Sequence, residues 1–190
     1  AESVVEDVVP VVSLASSYAS YLEGLGKKAR HEIRRKLRKI KSRKDIRLRR
    51  IGEPQALQRA LPVFIELHRR EGPEKQAFWK AAGMEDFFLT ATLSLAEEAK
   101  AFLDVLEAGD RMIAGLLSFR ETDVVFLYNV AFDREFSSLS PGIALFHHVI
   151  QQAISEGATS VDFLKGREKY KYDFGAKDST IYRLILKRTE

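Results

Sequence analysis

Cysteine is absent from all 190 residues. Disulfide scaffolds, thiolate nucleophiles and thiolate metal centres are thereby excluded. The same absence fits a cytoplasmic setting, where thiols stay reduced. Apolar runs are short, and none reaches the ~18 residues that a membrane-crossing helix needs. The N-terminus shows no basic start followed by a small-residue cleavage site, so no secretory leader is expected. The chain opens on Ala1 without Met, which suggests a processed or excised piece of a longer polypeptide. Histidine is scarce, at 4 residues. His147 and His148 are adjacent and face different sides of one helix, while His31 and His68 stand alone. No pair has the i, i+4 spacing that joins two ligands on one helical face, so no metal is expected. Phosphate-binding P-loop, dinucleotide-binding glycine and nucleophile-elbow motifs are also missing.

What is present is enough for one compact domain over 1–190. The chain is 45% hydrophobic with 12 Phe and 6 Tyr, too apolar for a disordered polymer. Its charge is uneven. The whole chain carries 31 Lys+Arg against 27 Asp+Glu, yet residues 27–50 hold 14 basic side chains and only Glu32 and Asp45 as acids, a net of +12. Such a block implies either a polyanionic partner (tRNA or an anionic membrane surface) or a solvated helix face paired with acidic neighbours.

Periodicity gives the element order. Residues 10–14 read as a short strand or lead-in. A basic helix follows over about 17–42, with Leu22, Leu25, Ala29, Ile33, Leu37 and Ile40 on its inner stripe, weakened at Gly24 and Gly26. A strand is expected at 45–51, a helix at 54–70, a helical turn at 75–82 and a helix at 84–98. The Glu71–Lys75 stretch is the one plausible internal joint and is too short to separate domains. The period then changes to that of an antiparallel meander, 101–107, 111–120 and 124–132. A helix at about 142–156, a strand at 159–164, a helical turn at 167–174 and a strand at 180–187 complete the chain. The strand–helix–strand order across 124–164 predicts an adjacent parallel pair whose C-terminal ends splay. The fold class is therefore a mixed α/β sheet, with a ligand cleft beyond the carboxyl ends of that pair.

Three local clusters could carry chemistry. Ser140-Pro141-Gly142 opens the crossover helix, with Ser140 suited to the N-cap and Gly142 allowing close approach to a helix terminus that favours phosphate. Asp162 stands at a strand end, where burial could make it a base, or where it could simply cap the next turn. Tyr170-Lys171-Tyr172-Asp173-Phe174-Gly175 sets a cation among aromatics: either an oxyanion or phosphate contact, or a core turn with a solvated Lys171.

Together these segments resemble a known family. Tyr128-Asn-Val-Ala-Phe-Asp133, Ser140-Pro-Gly142, Val161-Asp-Phe-Leu-Lys-Gly166 and Tyr170-Lys171 are similar to the CelD/BcsL-like acetyltransferase domain of the GNAT superfamily. Tyr21 to Arg30 with Arg34-Arg35 is similar to that family's opening basic helix. Residues 170–175 also resemble the FemABX transferases, which draw their acyl group from aminoacyl-tRNA. The likeness covers about residues 10–187. It implies acyl transfer from acetyl-CoA, or another acyl-CoA, to an amine on a small molecule or cell-envelope precursor. The resemblance places the pantetheine arm on the backbone of Asn129, Val130 and Ala131. It places the pyrophosphate near Ser140, Gly142 and Ile143, with Tyr170 also on the donor side. The usual Arg/Gln and glycine-rich loop, here Ser137 to Gly142, keeps one Gly. Asp162 is implied as base or amine-orienting group, Lys171 as a carbonyl or phosphate contact, and Tyr128 as proton donor to the departing thiolate. Two other functions compete: a FemABX-like aminoacyl-tRNA-dependent transferase, and a non-catalytic module that keeps the fold.

Overall fold

The computed structural model describes residues 2–186. Seven strands form one sheet: β1 (Glu2–Ser13), β2 (Ile46–Ile51), β3 (Ala101–Ala108), β4 (Arg111–Glu121), β5 (Val124–Phe132), β6 (Ser160–Asp162) and β7 (Lys177–Ile185), in the spatial order β2-β3-β4-β5-β6-β1-β7. The helices are α1 (Tyr18–Gly24), α2 (Lys27–Lys41), α3 (Pro54–Arg69), α4 (Pro73–Lys80), α5 (Met84–Glu97), α6 (Pro141–Ser155) and α7 (Lys169–Asp173), with a 3-10 turn at Arg134–Leu139. The mixed α/β class and the antiparallel β3-β4-β5 meander stand as expected.

Two cores sandwich the sheet. Leu57, Leu61, Phe64 and Ile65 of α3 pack with Leu103, Val105 and Leu117 on one face. Leu145, Val149 and Ile150 of α6 pack with Leu106, Val125 and Val161 on the other, where Ile33 and Ile40 of α2 join them. Helix α3 starts sharply because Pro54 occupies its first turn and the Glu53 carboxylate accepts from the N–H groups of Gln55 and Ala56.

The basic helix expected over 17–42 is two helices. Leu25 is extended, with φ −76° and ψ 147°, and Gly26 caps the new start. Gly24 and Gly26 cost helix stability where the chain bends, so it breaks there rather than curving. The first strand is far longer than 10–14. Its outer half, Glu2 to Asp7, pairs with β7 through a bulge between Val5 and Asp7. That ribbon is exposed on both sides, so no alternation marked it. The last strand begins at Lys177 rather than 180, and the expected end at Lys187 lies outside the described residues.

The parallel pair is present. Val124, Val125 and Phe126 of β5 register with Ser160, Val161 and Asp162 of β6. Pairing then stops, while β5 continues to Phe132. The meander also carries a bulge: Leu117 pairs with Asn129 and Ser118 with Leu127, so Tyr128 has no partner. An extra residue turns the following side chains to the opposite face. Leu127 accordingly sits in the α6 core and Ala131 in the α3 core.

Candidate active site

Where β5 outruns β6, a cleft of about 390 Å³ opens. The β5 wall is Leu127 to Val130 and Phe132; Phe163, Leu164, Lys165, Glu168, Tyr170 and Lys171 form the other side. An adjoining, largely apolar cleft of about 340 Å³ runs to the start of α6, along Ser137, Ser140, Pro141, Gly142 and Ile143. The two share Val130, Phe132, Phe146 and Tyr170, which makes one continuous groove.

Tyr128 rides on the bulge, 41% exposed, against Phe119 and Phe88 at ring-centroid distances of 5.4 and 6.1 Å. Asn129 and Val130 line the groove, whereas the Ala131 side chain is buried in the opposite core and offers only its backbone. Tyr170 stacks on Phe146, with centroids 5.4 Å apart, and burial raises its phenol pKa to about 12. Ser140 does stand at the start of α6, but its backbone is left-handed at φ 52° and its side chain makes no cap. Pro141 supplies the first helical position as expected. A Cβ on Gly142 would meet Val130 Cγ2 at 3.7 Å and Phe146 Cε2 at 4.0 Å, so the position is open toward the groove. The first helical turn leaves the Gly142 N–H without an intrahelical acceptor.

The remaining two candidates are engaged in holding a loop. Asp162 Oδ1 accepts from the Leu164 N–H at 2.7 Å, and Asp162 is not among the groove-lining residues. Burial raises its pKa, with the Leu164 hydrogen bond and Lys171 opposing. Lys171 is 3% exposed, and its Nζ donates to the carbonyls of Leu164, Lys165 and Gly166 at 3.3, 2.9 and 3.0 Å while pairing with Glu168 at 2.9 Å. Of the aromatics in residues 170–175, Phe174 is buried in the core and Tyr170 packs against it, whereas the Tyr172 hydroxyl donates to Asp178 at the surface; Lys171 is buried rather than solvated.

The groove also holds residues that the sequence did not single out. Glu71 and Lys75 line it, from the stretch read as an internal joint. The Phe132 N–H donates to Glu71 Oε1 at 3.1 Å, and an Arg134 guanidinium donates to the Glu71 carbonyl. Burial raises the Glu71 pKa against the Phe132 hydrogen bond, Lys75 and Arg134. The only local signal was a Glu placed just past a helix end. Beside Ile143, Lys28 and Lys36 of α2 and Lys169 line a further groove, and Lys39 donates to the Ser138 carbonyl at 2.7 Å. No helix among the described residues is long and apolar enough to cross a membrane. No group of three or more His or acidic side chains suited to a metal occurs among them either.

The splayed parallel pair, the bulge on β5 and the crossover helix at the mouth of the groove frame one site, and the sequence gives this fold a family. Residues 27–172 match the family described as the acetyltransferase (GNAT) domain, and the chain belongs to that family. Solved structures share the fold. FemX is 13% identical with a TM-score of 0.71, over 93% of this chain and 60% of that one. L-PGS from Bacillus licheniformis is 11% identical with a TM-score of 0.61, over 95% and 60%. An aminoglycoside acetyltransferase from an uncultured soil metagenomic sample, in complex with sisomicin, is 14% identical with a TM-score of 0.53, over 76% and 97%. The chain therefore spans 60% of the length of FemX and of L-PGS. No curated protein matches its sequence.

Proposed function

We propose that this protein transfers an acyl group, acetyl in the simplest case, from coenzyme A to an amine on a small molecule or cell-envelope precursor in the cytoplasm. The observation that carries the reading is the end of β5–β6 pairing at Phe126 and Asp162, which leaves the edge of β5 unpaired up to Phe132. An extended amide-bearing arm satisfies such an edge as a missing strand would. The backbone of Asn129, Val130 and Ala131 takes the pantetheine arm, and the thioester lies toward Tyr128. The phosphates lie toward Ser140, Gly142 and Ile143, where the helix N-terminus favours anions. The residues present fit that end of the donor, because the apolar groove beside Gly142 adjoins one carrying Lys28, Lys36 and Lys169.

A thioester is already activated, so alignment of the amine is the main contribution, worth ~7–11 kcal/mol in favourable cases. Tyr128, which lines the groove, is the proton donor to the departing thiolate in this reading. Asp162 and Lys171 act on the reaction by fixing the Leu164–Gly166 loop against the groove, Asp162 through an N–H and Lys171 through carbonyls. Tyr170 forms the floor shared by both parts of the groove.

A second reading, a FemABX-like transferase fed by aminoacyl-tRNA, is favoured by the basic face of α2. Among the described residues Arg35 pairs with Glu32, whereas Arg34, Arg38 and Lys41 form no ion pair and are exposed. The test is thermal stabilisation by acetyl-CoA, a long-chain acyl-CoA and tRNA in parallel. Saturation at about 100 Kd adds about 2.7 kcal/mol of stability for a ligand of the folded state. A shift with acyl-CoA supports the first reading, a shift with tRNA alone supports the second, and no shift with any of them refutes both.

A further inference from the structure

We propose that Glu71 is the acceptor-side carboxylate of the groove: it receives the incoming amine as an ammonium ion, points it at the thioester and takes one proton from it, which frees the lone pair that forms the C–N bond. The proposal rests on the acyltransferase reading above and adds the residue and the charge that the acceptor must meet.

Elimination on geometry leads there. Two carboxylates line the larger cleft, Glu71 and Glu168. Glu168 is bound to the Lys171 ammonium at 2.9 Å and helps to hold the loop. Asp162, nearby in sequence, is held by the Leu164 N–H and does not line the cleft. Glu71 differs. Its Oε1 is fixed by the Phe132 N–H at 3.1 Å, its backbone carbonyl is fixed by Arg134, and Oε2 has no partner among the described residues. A carboxylate anchored through one oxygen and open at the other is preorganised for an ammonium donor.

Its position also suits an acceptor. Glu71 follows α3, which packs on the sheet face opposite α6. The start of α6 takes the donor phosphates. An amine entering past Glu71 therefore approaches the opened strands from the other face and does not compete with the donor for space. The groups around the carboxylate are Lys75 from α4, Arg134 from the 3-10 turn and the Phe132 N–H from β5, with Lys165, Glu168 and Lys171 on the opposite wall. Burial raises the affinity of Glu71 for a proton, which suits a base, and Lys75 and Arg134 limit that rise.

The step balances. The ammonium gives one proton to Glu71, and the freed nitrogen lone pair attacks the thioester carbonyl carbon. Collapse of the tetrahedral intermediate breaks the C–S bond. The thiolate takes a proton from Tyr128, the amide nitrogen loses its second proton to solvent, and the proton held by Glu71 passes through solvent to restore the Tyr128 hydroxyl. The products are an amide and free coenzyme A thiol.

The experiment compares the wild type with Glu71→Gln, which keeps the oxygen that accepts from Phe132. Acetyl-CoA is the donor, n-propylamine is the probe acceptor, and thiol release is the readout. The variant is expected to melt and to bind acetyl-CoA as the wild type does. Its kcat/KM for propylamine should fall about 100-fold, and the acidic limb of its pH profile should vanish. Unchanged kcat/KM and pH profile in a variant that binds acetyl-CoA overturn the role of Glu71 while leaving the acyltransferase reading intact. Absence of acetyl-CoA binding and thiol release in the wild type refutes that reading instead. Carbon NMR of carboxyl-labelled glutamate decides the ammonium site independently, with the Glu71 signal assigned by its loss in Glu71→Gln. Propylammonium is expected to shift that signal and n-propanol is not; equal responses to the two overturn the proposal.

Discussion

Asp162 and Lys171 grip the same short loop from opposite chemical ends. The Asp162 carboxylate accepts from the Leu164 N–H at 2.7 Å, and the Lys171 ammonium donates to the Leu164 carbonyl at 3.3 Å. Leu164 needs both, because it holds a left-handed backbone at φ 57° that a branched apolar residue adopts at a cost. Replacing Lys171 with Met keeps the buried stem but leaves three carbonyls without their donor. Stability is expected to fall by about 3 kcal/mol, the cost of stranding partly buried acceptors. Urea unfolding measures it. An unchanged midpoint would show that the loop supports itself.

Trp79 Nε1 donates to His68 Nδ1 at 2.9 Å inside the α3 core, which requires that nitrogen to be unprotonated. Burial first, and Lys75 second, lower the His68 pKa from 6.5 to about 4. The unfolded chain therefore binds more protons than the native one between those values, so this contribution to stability is complete above about pH 6.5 and is lost toward pH 4. The loss is on the order of 2 kcal/mol. His68→Gln keeps an acceptor for Trp79 and is expected to be less stable at neutral pH but flatter across the window. Denaturant midpoints for both proteins across that pH range check it; parallel curves would assign the acid sensitivity to other groups.

Gly142 separates a helix effect from a ligand effect. It lies in the first turn of α6, and an added Cβ would find only ordinary contacts at 3.7 and 4.0 Å. Gly142→Ala is expected to stabilise the fold by about 0.5–1 kcal/mol, since Ala is the better helix former. Gly142→Glu sets a carboxylate at the mouth proposed for the phosphates and is expected to abolish acetyl-CoA binding without unfolding the chain. Denaturant unfolding reads the Ala variant, and titration calorimetry with acetyl-CoA reads the Glu variant. Wild-type affinity in the Glu variant would place the donor elsewhere.

The sequence made the sheet readable where the period was clean. Alternation with short turns marks β3, β4 and β5, and the helix between Pro141 and Gly157 forces β6 to lie parallel to β5. Features that depend on a single inserted residue leave no such trace. The bulge at Tyr128 changes no local composition, yet it decides that Leu127 faces α6 and Ala131 faces α3. The outer half of β1 lacks a buried face, and its acidic pair Glu6-Asp7 falls at a bulge, so a strand pattern was never written there. Site residues divide in the same way. Tyr128, Asn129, Val130, Ser140, Gly142, Ile143, Tyr170 and Lys171 all line the groove. Glu71 reaches it only because α3 ends beside Phe132, a distant contact that no spacing rule contains.

The basic face of α2 gives the last prediction, and the structure divides it. Lys39 donates to the Ser138 carbonyl, next to the start of α6, so its loss would disturb the donor end of the groove. Arg34, Arg38 and Lys41 are exposed and form no ion pair among the described residues. Reversing the charge of these three to Glu is expected to leave acetyl-CoA affinity nearly unchanged, because none of them lines the grooves around Gly142 and Ile143, where α2 contributes Lys28 and Lys36, and exposed charges are screened by salt. A polyanion lying along the helix would contact several of them at once. Binding of tRNA should then weaken steeply with salt, and the triple variant should flatten the log–log slope by about 2 to 3, since each lost phosphate contact removes ~0.7–0.9. Filter binding across a salt series measures that slope. If the wild type does not bind tRNA even at low salt, the aminoacyl-tRNA reading falls and the basic face is a solvated surface. If acetyl-CoA affinity collapses in the triple variant, α2 itself walls the donor site and the screening argument fails.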